Sequence, residues 1–95
     1  MKTYLAVDIG ASSGRHILGW LEDEKLKLKE IYRFKNGAED QNGHLCWDID
    51  RLESEVINGI AACETAPESV AVDTGAVGYV LLGKNGERIC PAGAY

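Results

Sequence analysis

Val7-Asp8-Ile9-Gly10-Ala11-Ser12-Ser13-Gly14-Arg15 is the stretch on which the reading of this chain turns. The apolar, β-favouring run at 4–9 ends in an aspartate and then in small residues. That pattern predicts a strand buried on both faces that stops at a tight turn. The turn is not a Walker A loop, which needs Gly-Lys followed by Ser or Thr, nor a G-x-G-x-x-G dinucleotide turn. Its physics is related all the same. Glycine and small hydroxyl residues let backbone N–H groups approach an anion closely, Ser12 and Ser13 add hydroxyls, and Arg15 adds a charged fork suited to phosphate. Asp8 at the rim can hold Mg²⁺ through water, because that ion keeps most of its hydration shell and takes one or two carboxylates. The same residues also allow a plainer reading, a hairpin turn with Asp8 as a strand-end cap.

Outward from the turn, residues 15–21 carry Ile17, Leu18, Trp20 and Leu21, and Glu22-Asp23-Glu24 gives a second reversal. Leu26, Leu28, Tyr32 and Phe34 share one parity against Lys25, Lys27, Lys29 and Arg33, the period-2 signature of a half-buried strand with a solvated lysine face. Three strands joined by tight turns form a meander. Residues 35–43 are polar and read as a loop, and Gly43-His44-Leu45-Cys46-Trp47 as its continuation into a helix. Asp48 or Asp50 can cap that helix, whose first turn is expected to include Glu53. Ile49, Leu52, Val56, Ile60 and Cys63 fall on one stripe at 3.6 residues per turn, and Pro67 closes the element.

Ser69-Val70-Ala71-Val72-Asp73 then reads as a second buried strand ending in an aspartate, followed by the turn Thr74-Gly75-Ala76. Residues 79–82, Gly83-Lys84-Asn85-Gly86 and 88–90 read as a hairpin, with Pro91 ending the regular pattern. A meander followed by a helix that crosses back must lay the next strand parallel to one already placed, most simply the first. Asp8 and Asp73 then sit at one sheet edge, a natural place for a hydrated divalent cation and its phosphate partner. The expected class is therefore α/β, with a three-strand meander, a helix, a parallel strand and a hairpin.

Composition narrows the partners. The 95 residues fit one small domain, and a formal net charge of −5 with scattered basic residues argues against nucleic acid. No apolar run approaches the roughly 20 residues that span a bilayer, and the opening residues lack a signal peptide's layout, so no membrane partner and a cytoplasmic location are expected. Cys46, Cys63 and Cys90 form no C-x-x-C pair and read as reduced thiols. His16 and His44 have no second ligand at metal-binding spacing, and Trp20 and Trp47 read as core or interface residues rather than sugar-stacking ones.

Four stretches carry a resemblance: VDIGASSGR; RFKNG with QNGHLCWDIDRLESEV following; SVAVDTGAV; and GYVLLGKNGERICPAGAY. Together they cover nearly the whole chain, which resembles the beginning of the FGGY carbohydrate kinases of the actin-like ATPase superfamily, with its ribonuclease H-like fold. The resemblance implies that 1–95 are part of the amino-terminal lobe of a two-lobe kinase. The second lobe and the proton-abstracting aspartate are expected beyond residue 95, so the chain alone is expected to show no turnover. It implies transfer of phosphate from ATP, with Mg²⁺, to a ketose, L-rhamnulose in the nearest pattern. Ala11, Ser12, Ser13, Gly14 and Arg15 match the segment that contacts ATP phosphates, Asp8 matches the carboxylate near the metal, and Ala76 a residue touching the sugar.

The chain departs from that pattern at Asp73-Thr74-Gly75-Ala76-Val77-Gly78, where Gly75 and Gly78 stand in place of a large aromatic and a carboxylate. Gly83 and Gly93 also replace the residues usual there. Two other classes share parts of the pattern. A metal-dependent nuclease of ribonuclease H-like fold also carries strand-end aspartates but calls for a basic groove, and a non-catalytic nucleotide-binding or structural module calls for no catalytic aspartate at all.

Overall fold

Leu5 and Val7 on the first strand are 2% and 1% exposed and mark the core face of the main sheet. The computed structural model describes residues 1–75 and 78–94. Strand β1 (Tyr4–Ile9) pairs antiparallel with β2 (Ser13–Glu22), which pairs antiparallel with β3 (Lys25–Lys35). Helix α1 (Ile49–Ala61) follows, and β6 (Ser69–Thr74) returns parallel to β1, giving the order β3-β2-β1-β6. The meander, the helix and the parallel strand are those expected from the sequence.

Asp48 caps α1, its side chain accepting from the Arg51 N–H at 3.0 Å, and the acidic residue of the first turn is Asp50 rather than Glu53. Ile49, Leu52, Val56, Ile60 and Cys63 are all half-buried, so the predicted stripe is the packing face. It lies over β2 and β3. There the imidazole of His16 is completely buried against Gly59, its Nε2 donating to the Val56 carbonyl at 3.0 Å. Tyr32 and Phe34 flank that ring edge-on, at centroid distances of 5.3 and 6.4 Å. Tyr32 also donates to Glu55 at 2.6 Å, tying β3 to the helix.

Because α1 lies on one face of the sheet, over β2 and β3, the expectation of strands buried on both faces fails. Tyr4, Ala6 and Asp8 face outward on β1, and every residue of the edge strand β6 is exposed. A second departure is a bulge. The β2–β3 register shifts between His16 and Ile17, so that His16 pairs with Tyr32 but Ile17 with Glu30, leaving Ile31 as the extra residue. One inserted residue transposes the faces of everything beyond it. Leu26 and Leu28 therefore lie on the sheet face opposite Tyr32 and Phe34, exposed at 66% and 65%, although all four share one parity.

The third departure is a second sheet, order β4-β5-β8-β7, where the sequence suggested a loop. β4 (Glu39–Gln41) and β5 (His44–Trp47) form a hairpin through Asn42 and Gly43, whose φ angles of 54° and 86° suit the mirror-image turns that hairpins favour. Pro91 does not end the pattern. β8 (Ala92–Ala94) follows it and joins β5 to β7 (Gly78–Tyr79). The expected hairpin at 79–90 survives as a single bridge between Leu82 and Arg88, with Gly83 and Glu87 closing the turn at 2.7 Å. Cys46 and Ala92 are the buried centre of this sheet, and all three cysteines are free. Among the described residues no helix is long and apolar enough to cross a membrane.

Candidate functional site

The turn at 10–13 is held by its carbonyls. Gly10 N–H donates to the Ser13 carbonyl at 2.8 Å, Asn36 N–H to the Ser12 carbonyl at 2.9 Å, and the Asn36 side-chain amide to the Gly10 carbonyl at 2.8 Å. Among the described residues no acceptor is paired with the N–H groups of Ala11 and Ser12, and both residues are exposed. A bend whose acceptors are occupied and whose donors are open presents net positive dipoles to an approaching anion. Asn36, at the end of β3, was not singled out from the sequence. Its signal there was an amide side chain where a strand runs into a polar loop, a common place for side-chain to backbone bonding.

Across the sheet, one register row brings together Asp73 on β6, Asp8 on β1, Arg15 on β2 and Arg33 on β3. Residues paired in register share a face, and this one is opposite α1. Arg15 donates to the Asp8 carboxylate at 2.6 Å and to the Ser13 hydroxyl at 3.0 Å, while Arg33 is engaged by Glu30 at 2.6 Å. Asp73 has no ion-pair partner among the described residues. Two carboxylates on neighbouring strands, about 4.8 Å apart at the backbone, repel each other unless a cation stands nearby. Arg15 supplies that charge to Asp8 only.

This donor set fits a hydrated Mg²⁺, which needs no more than one or two carboxylates, with Asp8 and Asp73 the groups that would hold it. Among the described residues no group of three or more His, Cys, Asp or Glu side chains gathers as a metal cage, so the row does not suit an ion that demands a full protein shell. An exposed ion pair such as Arg15–Asp8 is worth only about 0–1 kcal/mol, so a polyphosphate can draw the guanidinium away at little cost.

The structure distributes the other predicted residues unevenly. Ser13 is tied to Arg15, and Ser12 stands at the tip of the turn. Gly14 is buried on the α1 side, where a Cβ would run into the Phe34 ring, so its position has a packing reason. Ala76 lies outside the described residues.

Beyond the carboxyl ends of β1 and β6 opens a cleft of about 450 Å³. Gly10 and Ala11 form one wall, Thr74 and Gly75 another, Ile49 and Leu52 of α1 a third, and Trp47 and Tyr79 of the second sheet close the far side. Asp8, Ser12, Ser13 and Arg15 do not line it, so the charged row and the cleft meet at the turn. Such a crevice at strand carboxyl ends is where open α/β sheets take ligands. Trp47 thus belongs to the cleft wall rather than to a loop or the core, as sequence reading had it. Trp20 lies elsewhere, its indole N–H donating to Glu22 at 3.4 Å.

No family model matches the chain. Rhamnulokinases are among the proteins that do match. That of Ligilactobacillus salivarius is 52% identical over 94% of the chain, that of Oceanobacillus iheyensis 48% over 96%, and that of Bacillus subtilis 43% over 97%. The chain spans about one fifth of the length of each, 19%, 20% and 20% respectively. Among solved structures, ligand-bound xylulose kinase from Lactobacillus acidophilus superposes with a TM-score of 0.63 over 98% of this chain and 19% of that one, at 12% identity, which speaks to the fold alone. In sequence the chain is thus similar to rhamnulokinases over about one fifth of their length, and in fold it is similar to part of a xylulose kinase.

Proposed function

We propose that this chain contributes the phosphate-binding turn and one side of the sugar cleft of a carbohydrate kinase that transfers phosphate from Mg·ATP to a ketose, L-rhamnulose by its relatives' name. Residues 1–95 are then part of the first lobe of a two-lobe enzyme acting in the cytoplasm. In this reading Ala11 and Ser12 meet the ATP phosphates with their amides, Ser12 and Ser13 with their hydroxyls, and Arg15 with its guanidinium. Asp8, with Asp73 beside it, would hold the hydrated Mg²⁺, the sugar lies in the cleft against Gly75, and Ala76 is a sugar-contact position by the family resemblance alone.

The single observation that carries this reading is the union of the carbonyl-pinned turn with the Asp8–Asp73 register pair at one sheet edge. Phosphoryl transfer is mostly positioning and charge stabilisation, so such a turn is necessary to it and supplies no base for the sugar hydroxyl. The net charge of −5 and the engagement of Arg15 and Arg33 by carboxylates favour a small-molecule partner over nucleic acid.

Titration calorimetry with Mg·ATP tests the turn. Binding by the unmodified chain, weakened by both Ser12→Ala and Arg15→Ala, is the expected result, with no rhamnulose phosphorylation by the chain alone. Binding that both substitutions leave unchanged would remove the assignment.

A further inference from the structure

The turn at 10–13 is pinned by Asn36, and Asn36 follows directly on Lys35, the last residue of β3, which pairs in register with Ser13. Where that strand end sits therefore decides where both Asn36 bonds to the turn lie. Two side chains of α1 fix it. The Arg51 guanidinium donates to the Lys35 carbonyl at 2.6 Å, and earlier on β3 the Tyr32 hydroxyl donates to Glu55 at 2.6 Å. Arg51 and Glu55 stand one helical turn apart, their charged groups 3.7 Å from each other, so one helix face clips β3 at residues 32 and 35. The backbone N–H of Arg51 is taken by the Asp48 cap at 3.0 Å, which anchors the base of this arm. A charged donor on a carbonyl makes a shorter and stronger bond than a neutral pair does. Ile49 and Leu52 of the same helical turn wall the cleft, so this turn borders the cleft and holds the strand end at once.

We propose that Arg51 is a positioning residue for the phosphate site: through the Lys35 carbonyl it sets Asn36, and through Asn36 the open amides of Ala11 and Ser12. This rests on the reading of the turn as the phosphate site. Arg51 acts through the strand end and not as a phosphate ligand, since its guanidinium is engaged by Lys35 and Glu55. A residue that acts through an intermediate shifts binding by roughly 2- to 30-fold.

The test is a Mg·ATP titration of the isotope-labelled chain and of Arg51→Met, Arg51→Lys and Arg88→Met, with backbone amide shifts read before and after nucleotide. Arg88→Met is the control, because the Arg88 side chain bonds at 2.9 Å to Asp50 in the same turn of α1 rather than to β3. Free of ligand, Arg51→Met should move the amides of Asn36, Ala11 and Ser12, and it should lose roughly 2- to 30-fold in Mg·ATP affinity. Arg51→Lys, which keeps one charged donor, should fall between it and the unmodified chain, and Arg88→Met should bind as the unmodified chain does. Affinity lost without movement of those ligand-free amides would assign the effect to charge alone and overturn the proposal. So would unchanged affinity in Arg51→Met, or an equal loss in Arg88→Met, and in either case the phosphate reading stands. If the unmodified chain binds no Mg·ATP, the phosphate reading and this proposal fall together. Should Arg51→Met lose its amide dispersion, Arg51→Lys decides in its place: shifted turn amides with reduced affinity uphold the positioning role, and either one unchanged ends it.

Discussion

The imidazole of His16 occupies the space that a Cβ on Gly59 would need, so that β2 and α1 approach as closely as a glycine allows. The ring is fully buried, its Nε2 hydrogen is given to the Val56 carbonyl, and its Nδ1 has no partner among the described residues. The helix that walls one side of the cleft is seated on this contact.

Gly59→Ala should destabilise the chain. Replacing a helical glycine by alanine gains roughly 1 kcal/mol from propensity. Here the new methyl meets several atoms of a ring that has nowhere to go, an overpacking cost of ~1–3 kcal/mol that exceeds the gain. Denaturant unfolding should show a lowered midpoint, and Gly59→Ala should cost less in a His16→Ala background than in the unmodified chain, because the three atoms nearest the added methyl all belong to His16. An unchanged midpoint for Gly59→Ala would show that the helix is free to shift.

Asp48→Ala should weaken the start of α1 by ~1 kcal/mol, the usual worth of a helix cap. Asp48→Asn, which keeps the acceptor for the Arg51 N–H, should cost much less. Thermal unfolding of the two variants measures the difference, and equal losses would assign the effect to charge rather than to the hydrogen bond.

Tyr32 is held above its ordinary pKa of 10.0, first because its hydroxyl donates to the Glu55 carboxylate and then because it is partly withdrawn from water. The raised value belongs to the protonated phenol. Its contribution to stability is therefore fully present below pH 10.0 and is lost as pH rises through the folded-state value above that. Tyrosinate absorbance should show a late-titrating component that Tyr32→Phe removes and Glu55→Gln moves back toward the ordinary range. A late component that persists in Tyr32→Phe would contradict the assignment.

Asn36→Ala should loosen the turn without touching the helix. It removes the bond to the Gly10 carbonyl but leaves the backbone bond to Ser12, so a loss of about 1 kcal/mol is expected, with a larger proportional effect on Mg·ATP binding than on unfolding. Unfolding and binding measured on the same variant separate the two. Intact binding would show that Asn36 does not shape the turn.

How much could be read in advance depended on element length and on local chemistry. The opening strand, the meander, α1 and β6 carried strong periodicity and clear turn residues, and the register of Asp8 with Asp73 followed from the crossover. The bulge at Ile31 left no mark, because an inserted residue leaves composition and parity unchanged while transposing Leu26 and Leu28 to the other face. β8 is Ala92-Gly93-Ala94, residues of poor strand propensity that are held by their partners β5 and β7, so only tertiary pairing reveals it. Asn42-Gly43, like Asn36, was a missed local signal, since that dipeptide marks a two-residue hairpin. Trp47 could not be placed at the cleft until β5 was recognised as a strand.

The central claim is that the open amides of Ala11 and Ser12 receive a nucleotide's phosphates. Adding Mg·ATP to the isotope-labelled chain and following the backbone amides tests it residue by residue. The largest shifts should fall on Ala11 and Ser12, with smaller ones at Asp8, Arg15 and Asp73, and Ser12→Ala and Arg15→Ala should diminish them together. Shifts centred elsewhere, or none at Ala11 and Ser12 when nucleotide is in excess, would contradict it.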